Sequence, residues 1–338
     1  MIFAGSQSGR LAIGALSLMK GVAATLTVVA LVLLLSSRNI PSAIDDLSYL
    51  EYASNSTQLL FSRYQDLSFL GFLLAEPVWL GINAFLGAVF DEELVVRIII
   101  AASAGMMVTA MLRLTKWNVL ACIGFLLFPT VLSNYIIHLR QGLAISTLLL
   151  FLAFCPGWLL VGATLAALIH TSLFVILGLL LIVRNPISKR FLKASATIST
   201  FAVWTLFVVS VPIYLQEFLG FLGDRRADDY DFRIESTASG LGFGLWVVIL
   251  LVFLVKRPTT LSDEWRYAVA LISMYVGWYF FLEIGARVLG SGLVFVWLAG
   301  SRLEGKGRWM FWSLWFVGAV VAWILQWERV ASFWGVGE

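Results

Sequence analysis

The sequence predicts an all-α, polytopic membrane protein with about 9–11 transmembrane helices, some of them broken or re-entrant. Three properties indicate this class: 60% of the 338 residues are hydrophobic, only 13% are charged, and the chain holds 25 Phe and 14 Trp. A water-soluble domain of this length could not bury so much apolar surface. We therefore expect a single integral membrane domain over residues 1–338, embedded in a lipid bilayer.

Nine apolar stretches are long enough, or nearly so, to cross about 30 Å of hydrocarbon. They lie at roughly 14–35, 94–112, 117–136, 141–155, 195–219, 240–255, 266–284, 287–300 and 309–326. Two further stretches are ambiguous. Residues 67–90 contain Glu76-Pro77 and are expected to lie along the interface or dip into it, whereas residues 158–183 form a 26-residue apolar run that His170-Thr171-Ser172 interrupts.

The distribution of positive charge decides the path of residues 158–183. If this run enters and leaves on one side with His170 near its apex, all six Lys of the chain are cytoplasmic, as the positive-inside rule requires. One straight span would invert the topology of everything downstream. Ten Lys and Arg that the hairpin keeps in the cytoplasm would then lie outside. The sequence therefore predicts a hairpin, with two outer loops at about 36–93 and 220–239.

Unusual polar residues concentrate on the predicted outer face. Arg140 stands in His138-Leu139-Arg140-Gln141 between two apolar runs, and a charge at the edge of a span is a functional-site hypothesis by default. Taken alone, each of these residues also has a purely structural explanation. Arg140 can snorkel to the interface, His170 can be a hydrogen-bonded core residue, and Glu283 and Arg287 can pair across one helical turn.

Taken together, these residues favour chemistry on a phosphate-linked, lipid-carried donor. Arg offers a planar, permanently charged fork that suits a diphosphate, while His and carboxylates transfer protons near neutral pH. Asp45 and Asp46 precede Tyr49 by four and three residues, so a short helix would place a carboxylate beside the phenol.

Several short motifs occur in an order that resembles the EpsG family of Wzy-like exopolysaccharide and O-antigen polymerases. They are Asp46 and Tyr49; Glu76, Pro77 and Asn83; Leu139-Arg140-Gln141; Ile169-His170-Thr171-Ser172; and, in the more divergent C-terminal half, Arg226 with Tyr230 and Ala286-Arg287. The resemblance implies a metal-independent membrane glycosyltransferase of GT-C-like architecture. Such an enzyme transfers a growing glycan from undecaprenyl diphosphate to the end sugar of another lipid-linked repeat unit.

This resemblance, together with the chemistry of the side chains, assigns roles to the candidate residues. Arg140 and Arg287 are the expected diphosphate ligands, because developing charge on that leaving group needs cationic contacts. His170 is the first choice for the general base and Asp46 the second. The expected substrate-binding residues are Tyr49, Glu76, His138, Gln141, Arg226, Tyr230 and Glu283.

No cofactor or metal is expected, since Cys122 and Cys155 lie inside apolar runs and the chain has only two His. The expected partners are the undecaprenyl-diphosphate-linked donor and acceptor, with a chain-length regulator as a further candidate and no nucleic acid. We expect a multi-pass protein of the bacterial cytoplasmic membrane with its active site on the periplasmic or extracellular side.

Alternative functions stay open at this point. An O-antigen ligase or another GT-C glycosyltransferase that uses polyprenyl-phosphate sugars is compatible with the same residues. A lipid-linked sugar flippase or transporter would prefer polar residues near the bilayer midplane and internal repeats, neither of which the sequence contains. An acyltransferase-like or scaffold protein is a further alternative, although the short inner loops offer no path for a cytoplasmic acyl donor.

Overall fold

The computed structural model describes residues 7–43, 45–64, 69–184, 240–256, 258, 262–279 and 284–331. Within these ranges the chain forms helices and connections and contains no strand. Numbered in chain order, the described helices are α1 (Gln7–Ser36), α2 (Asp46–Tyr64), α3 (Phe69–Leu74), α4 (Pro77–Gly87), α5 (Glu92–Leu114), α6 (Val119–Leu126), α7 (Pro129–Ile136), α8 (Leu139–Phe154), α9 (Leu159–Ile169), α10 (Leu173–Arg184), α11 (Gly240–Val255), α12 (Asp263–Trp278), α13 (Ile284–Ser301) and α14 (Gly305–Ala331).

Among the described helices, three are long and apolar enough to cross a membrane: α1 through Met19–Ser36, α5 over its whole length, and α14 through Gly305–Leu325. Helices α6 and α7 form a fourth candidate if they belong to one bent span. Shorter apolar helices occupy other predicted spans, with α8 at 141–155, α11 at 240–255 and α13 at 287–300, while α9 and α10 occupy the interrupted run at 158–183. The all-helical, polytopic membrane class is thus confirmed. The total of about 9–11 spans stays a prediction, and the stretch at 195–219 lies outside the described residues.

Helices α6 and α7 meet at an angle of 79°, just before Pro129. Proline has no N–H to continue the helical hydrogen bonding, so carbonyl groups at the bend need other donors. Two indoles of α14 supply them: Trp315 Nε1 donates to the Gly124 carbonyl at 3.2 Å, and Trp323 Nε1 donates to the Leu127 carbonyl at 2.7 Å. A bend inside a membrane is stable only when its backbone is satisfied in this way.

The predicted hairpin around His170 is confirmed. Helix α9 ends at Ile169, helix α10 begins at Leu173, and the three polar residues form the break between them. Arg184, the last residue of α10, donates from Nη2 to the Pro156 carbonyl at 3.4 Å, just ahead of α9. The two ends of the segment therefore lie together, which excludes one straight span.

The segment predicted as the first outer loop is itself mostly helical. Helix α2 is 19 residues long and packs against α4 and α5, with Tyr49 and Tyr52 both against the Trp79 ring at centroid distances of 5.7 and 6.1 Å. A Cβ at Gly87 would lie 2.2 Å from the Ala53 carbonyl oxygen, so only glycine permits this approach of α4 to α2. The loop is therefore an ordered layer over the ends of the apolar helices.

The end of the molecule opposite His170 carries a second set of charges. Arg302 Nη1 lies 2.7 Å from Glu264 Oε2, and Arg266 Nη1 lies 2.9 Å from Asp263 Oδ1. Arg184 is close enough to Tyr267 of α12 to interact with it electrostatically. Since α10 separates Arg184 from His170 by about 18 Å of helix, charged groups gather at both ends of the bundle.

This two-ended arrangement makes a topology prediction. We expect a cysteine at Ser48→Cys, near the start of α2, to react with an impermeant maleimide from outside the cell. A cysteine at Lys306→Cys, at the start of α14, should react only after the membrane is opened. Both positions are exposed, and exposed Cys155 is replaced by serine first, whereas Cys122 is buried. The reverse labelling pattern would contradict the orientation derived from the lysines.

Candidate active site

Glu76 has an unusual backbone conformation directly before α4. Its φ of 59° and ψ of 54° place it in the left-handed region, although it is not glycine and although Pro77 follows it. Residues before proline normally adopt extended backbone, and a left-handed non-glycine residue costs about 1–3 kcal/mol. This conformation turns the side chain inward, and the residue is only 2% exposed.

The Glu76 carboxylate joins two residues that are far away in sequence. Its Oε2 accepts a hydrogen bond from Arg140 Nη1 at 2.7 Å, and its Oε1 lies 2.8 Å from His170 Nδ1. Thr171 adds its backbone N–H to Oε1 at 3.3 Å. We call Glu76, Arg140 and His170 the Glu76 centre. It brings α4, the start of α8 and the break between α9 and α10 to one point.

Arg140 is the second residue of α8, where the electrostatics of the helix oppose it. The first turn of a helix carries partial positive charge, which disfavours a cation. The Glu76 carboxylate offsets that effect, and the Tyr52 ring lies 5.5 Å from the guanidinium carbon, a cation–π distance. A Cβ at Gly142 would lie 2.0 Å from the Asn134 carbonyl oxygen, so glycine at this position lets α8 begin this close to α7.

His170 directly follows α9 and has an extended backbone, at φ −149° and ψ 124°. Its side chain is 13% exposed, which leaves part of the ring accessible. A carboxylate accepts hydrogen bonds, so the neutral imidazole next to Glu76 carries its proton on Nδ1. In that tautomer Nε2 is the basic nitrogen, which is the form that a general base requires.

A second imidazole–carboxylate pair lies at the accessible edge of the site. His138 Nδ1 is 3.2 Å from Asp45 Oδ2, and the two side chains are 40% and 39% exposed. The hydrogen bond with His138 holds the pKa of Asp45 below its usual value, against the opposing effect of burial. The positive charges of Arg140 and Arg287 act in the same direction, so both guanidinium groups lie within electrostatic range of Asp45. Asp45 therefore stays ionised at neutral pH.

The geometry does not support Asp46 as a second candidate base. Its carboxylate is fully buried and receives both Nη groups of Arg38, at 2.7 and 2.6 Å. The backbone N–H groups of Ser42 and Ala43 also donate to Oδ2. A fully buried carboxylate that already accepts four hydrogen bonds is poorly placed to accept a proton from a substrate. Asp46 instead ties α2 to the end of α1.

Two predicted substrate-binding residues also have structural partners. Tyr49 is 2% exposed and packs against Trp79, so a sugar cannot reach most of its ring. Gln141 is 4% exposed and donates from Nε2 to the Arg287 carbonyl and to Ser291 Oγ, both at 2.9 Å. These contacts use up the amide N–H groups that a substrate would need.

The remaining predicted residues are either exposed or outside the described ranges. Arg287 lies in the first turn of α13 and is exposed, as a diphosphate ligand needs to be. Arg226, Tyr230 and Glu283 lie outside the described residues. Among those that are described, no group of three or more His, Cys, Asp and Glu could hold a metal ion. Independence from metal stays a prediction.

Arg38 and Arg97 were not predicted to have a role. Arg38 joins the segment after α1 to α2, and Arg97 joins the end of α1 to α5. Arg97 of α5 donates from Nη1 to the carbonyls of Ser36 and Arg38, at 2.5 and 3.1 Å, and pairs with Glu93 at 2.7 Å. An Arg directly after an apolar run resembles an ordinary interfacial residue, so sequence carries little signal for a buried role. The one available signal was an Arg eight residues before an Asp, since these two residue types favour bidentate pairing.

The fold and the site thus define a polytopic, all-helical membrane protein with a histidine–carboxylate–arginine centre at the ends of its helices. Comparison with protein families gives a match to the EpsG family over residues 22–324, and the chain belongs to that family. Membership indicates an exopolysaccharide-related polymerase of glycosyltransferase-like type. Comparisons with curated proteins and with solved structures give no match.

Adjacent aspartates make a matched pair for a stability prediction. Asp46→Asn leaves the buried Arg38 guanidinium without its counter-charge, and we expect a loss of about 3 kcal/mol in unfolding free energy. Asp45→Asn breaks only a half-exposed pair and should cost about 0–1 kcal/mol. Thermal unfolding of the two purified variants measures the difference. Equal melting of both would show that the Arg38–Asp46 pair does not anchor α2.

The backbone of Glu76 can be tested with two variants that both lack the carboxylate. Glycine adopts the left-handed region freely, whereas alanine there costs about 1–2 kcal/mol. We expect Glu76→Gly to unfold at a higher temperature than Glu76→Ala, and both to lose activity because Arg140 and His170 lose their common partner. Identical unfolding temperatures would contradict the left-handed conformation of Glu76.

Proposed function

We propose that this protein is a polysaccharide polymerase that joins undecaprenyl-diphosphate-linked repeat units at the outer face of the cytoplasmic membrane. Its membership of the EpsG family supports the class of reaction. The observation that carries the proposal is the Glu76 centre, in which one buried carboxylate contacts both a guanidinium and an imidazole. These are the two kinds of group that glycosyl transfer from a diphosphate requires.

In the proposed reaction, the hydroxyl oxygen of the acceptor sugar bonds to the anomeric carbon of the donor glycan. The bond between that carbon and the diphosphate oxygen breaks, and its electron pair leaves with undecaprenyl diphosphate. The hydroxyl proton passes to a base on the protein. Since diphosphate is a good leaving group, the protein has to place the reactants, stabilise negative charge and accept one proton.

Arg140 is proposed to stabilise the diphosphate. Its side chain is 25% exposed, so a ligand can reach part of it, while Nη1 is fixed by Glu76. Such fixed donors act in a partly dry site without needing to reorganise, and each typically contributes about 10²–10³ in rate. Arg287 adds a second, exposed cation within electrostatic range of Asp45.

His170 is proposed as the general base. Its Nδ1 hydrogen bond to Glu76 fixes the ring and the tautomer, and the negative charge of Glu76 stabilises the imidazolium that forms when Nε2 takes the proton. Arg140 shares the same carboxylate, so proton transfer and diphosphate binding are linked through one residue. This arrangement explains why a buried, strained Glu is present at this position.

The Asp45–His138 pair replaces Asp46 as the second candidate for the base. It has the same imidazole–carboxylate arrangement, and its greater exposure makes it more accessible to an acceptor sugar. In the His170 assignment, His138 instead hydrogen-bonds the acceptor and positions it.

Histidine variants assayed with purified protein in vesicles test the proposal. The wild-type protein, given only lipid-linked repeat units, should form a ladder of longer lipid-linked glycans. We expect His170→Gln to lower turnover by about 10²–10⁴, the usual contribution of general acid–base catalysis, while donor binding stays near normal. His138→Gln is the matched control and should mainly raise KM for the acceptor.

Two outcomes would contradict different parts of the proposal, the first the type of reaction and the second the identity of the base. If the wild-type protein forms no ladder from repeat units but transfers glycan to another class of acceptor, it is a ligase and not a polymerase. If the ladder forms and only His138→Gln lowers turnover by orders of magnitude, then Asp45–His138 holds the base and His170 has a structural role.

A further inference from the structure

A buried set of three polar side chains lies behind the candidate active site. Gln141 Nε2 donates to Ser291 Oγ and to the Arg287 carbonyl, both at 2.9 Å. Ser291 Oγ also donates to the Arg287 carbonyl at 2.9 Å, and Ser172 Oγ lies 3.3 Å from Ser291 Oγ. The three side chains are between 0% and 5% exposed. We call Gln141, Ser172 and Ser291 the polar bridge.

Counting protons fixes the direction of every hydrogen bond in the polar bridge. A serine hydroxyl has one hydrogen to donate and two lone pairs to accept with. Ser291 gives its hydrogen to the Arg287 carbonyl, so it accepts from Gln141 and must also accept from Ser172. The Ser172 hydroxyl is therefore the donor, and Ser291 uses its complete hydrogen-bonding capacity. Ser291 is the residue on which the bridge depends.

Each member of the polar bridge lies within four residues, along the chain, of a residue of the candidate site. Gln141 directly follows Arg140, Ser172 comes two residues after His170, and Ser291 lies one helical turn after Arg287. The bridge thus connects α8, the break between α9 and α10, and the first turn of α13. These segments carry the two proposed diphosphate ligands and the proposed base.

We propose that Ser291 is a positioning residue for glycosyl transfer, an inference that rests on the proposed function. Its hydroxyl holds the first turn of α13, and with it Arg287, in register with Arg140 and His170. Reacting groups generally need to be held within about 0.5 Å of their productive geometry. Because Ser291 is buried, it acts through Arg287 and does not contact the substrate.

The test compares Ser291→Ala with Ser273→Ala. Ser273 is also buried, at 2%, and its hydroxyl also donates to the carbonyl four residues earlier, Val269, at 2.6 Å. It lies on α12 and is not part of the polar bridge. We expect Ser291→Ala to lower turnover about tenfold with little change in KM for the donor, since the effect is on the alignment of the transition state. Ser273→Ala should stay near wild type.

A double-mutant cycle tests the bridge independently of activity. Gln141→Leu, Ser291→Ala and the double variant are compared by thermal unfolding and, separately, by turnover. Residues of one hydrogen-bond network are coupled, so we expect the double variant to lose much less than the two single losses combined.

The possible results separate the positioning role from the proposed function. Additive unfolding losses, or a Ser291→Ala variant with the turnover of Ser273→Ala, would overturn the positioning role while polymerisation by the wild-type protein stands. A wild-type protein that forms no glycan product would overturn the proposed function and the positioning role together. In that case coupled unfolding would still identify the polar bridge as a structural feature.

Discussion

The organisation of the candidate active site depends on one buried negative charge, the Glu76 carboxylate. A buried carboxylate is unfavourable unless several donors surround it, and here Arg140, His170 and Thr171 supply them. One donor comes from the first turn of α8, and the other two come from the break between α9 and α10. Removing the charge would leave Arg140 in the first turn of α8 without the carboxylate that it hydrogen-bonds, so the contact that forms the site also stabilises its surroundings.

The broken helices follow from this constraint. A continuous helix satisfies its own backbone and offers a site only the side chains of one face, whereas a break brings polar backbone and side chains to the middle of an apolar run. The break at His170-Thr171-Ser172 places Thr171 N–H on Glu76 and Ser172 in the polar bridge. The bend before Pro129 is satisfied differently, by indoles from α14. Both breaks lie against other parts of the protein, where such backbone is tolerated.

The sequence predicted the helical class, the hairpin and the shared face of Arg140, His170 and Glu76, because lysine distribution and apolar length report on topology. It did not distinguish Asp45 from Asp46, which lie at nearly the same spacing from Tyr49 although one is half-exposed and the other is buried against Arg38. Ser291 had no local signal for its role in the polar bridge, since its side-chain partners Ser172 and Gln141 are 119 and 150 residues away. Such long-range pairings depend on how the helices pack, which periodicity and charge do not report.

The most direct test of the Glu76 centre is the protonation of His170, measured by nitrogen NMR on protein labelled at histidine. The chain has only two His, so His138→Gln leaves His170 as the single imidazole signal. We expect the neutral ring to carry its proton on Nδ1 and to lose this preference in Glu76→Gly, because the carboxylate fixes the tautomer. A proton on Nε2, unaffected by Glu76→Gly, would contradict the account of Glu76 as the residue that orients the base.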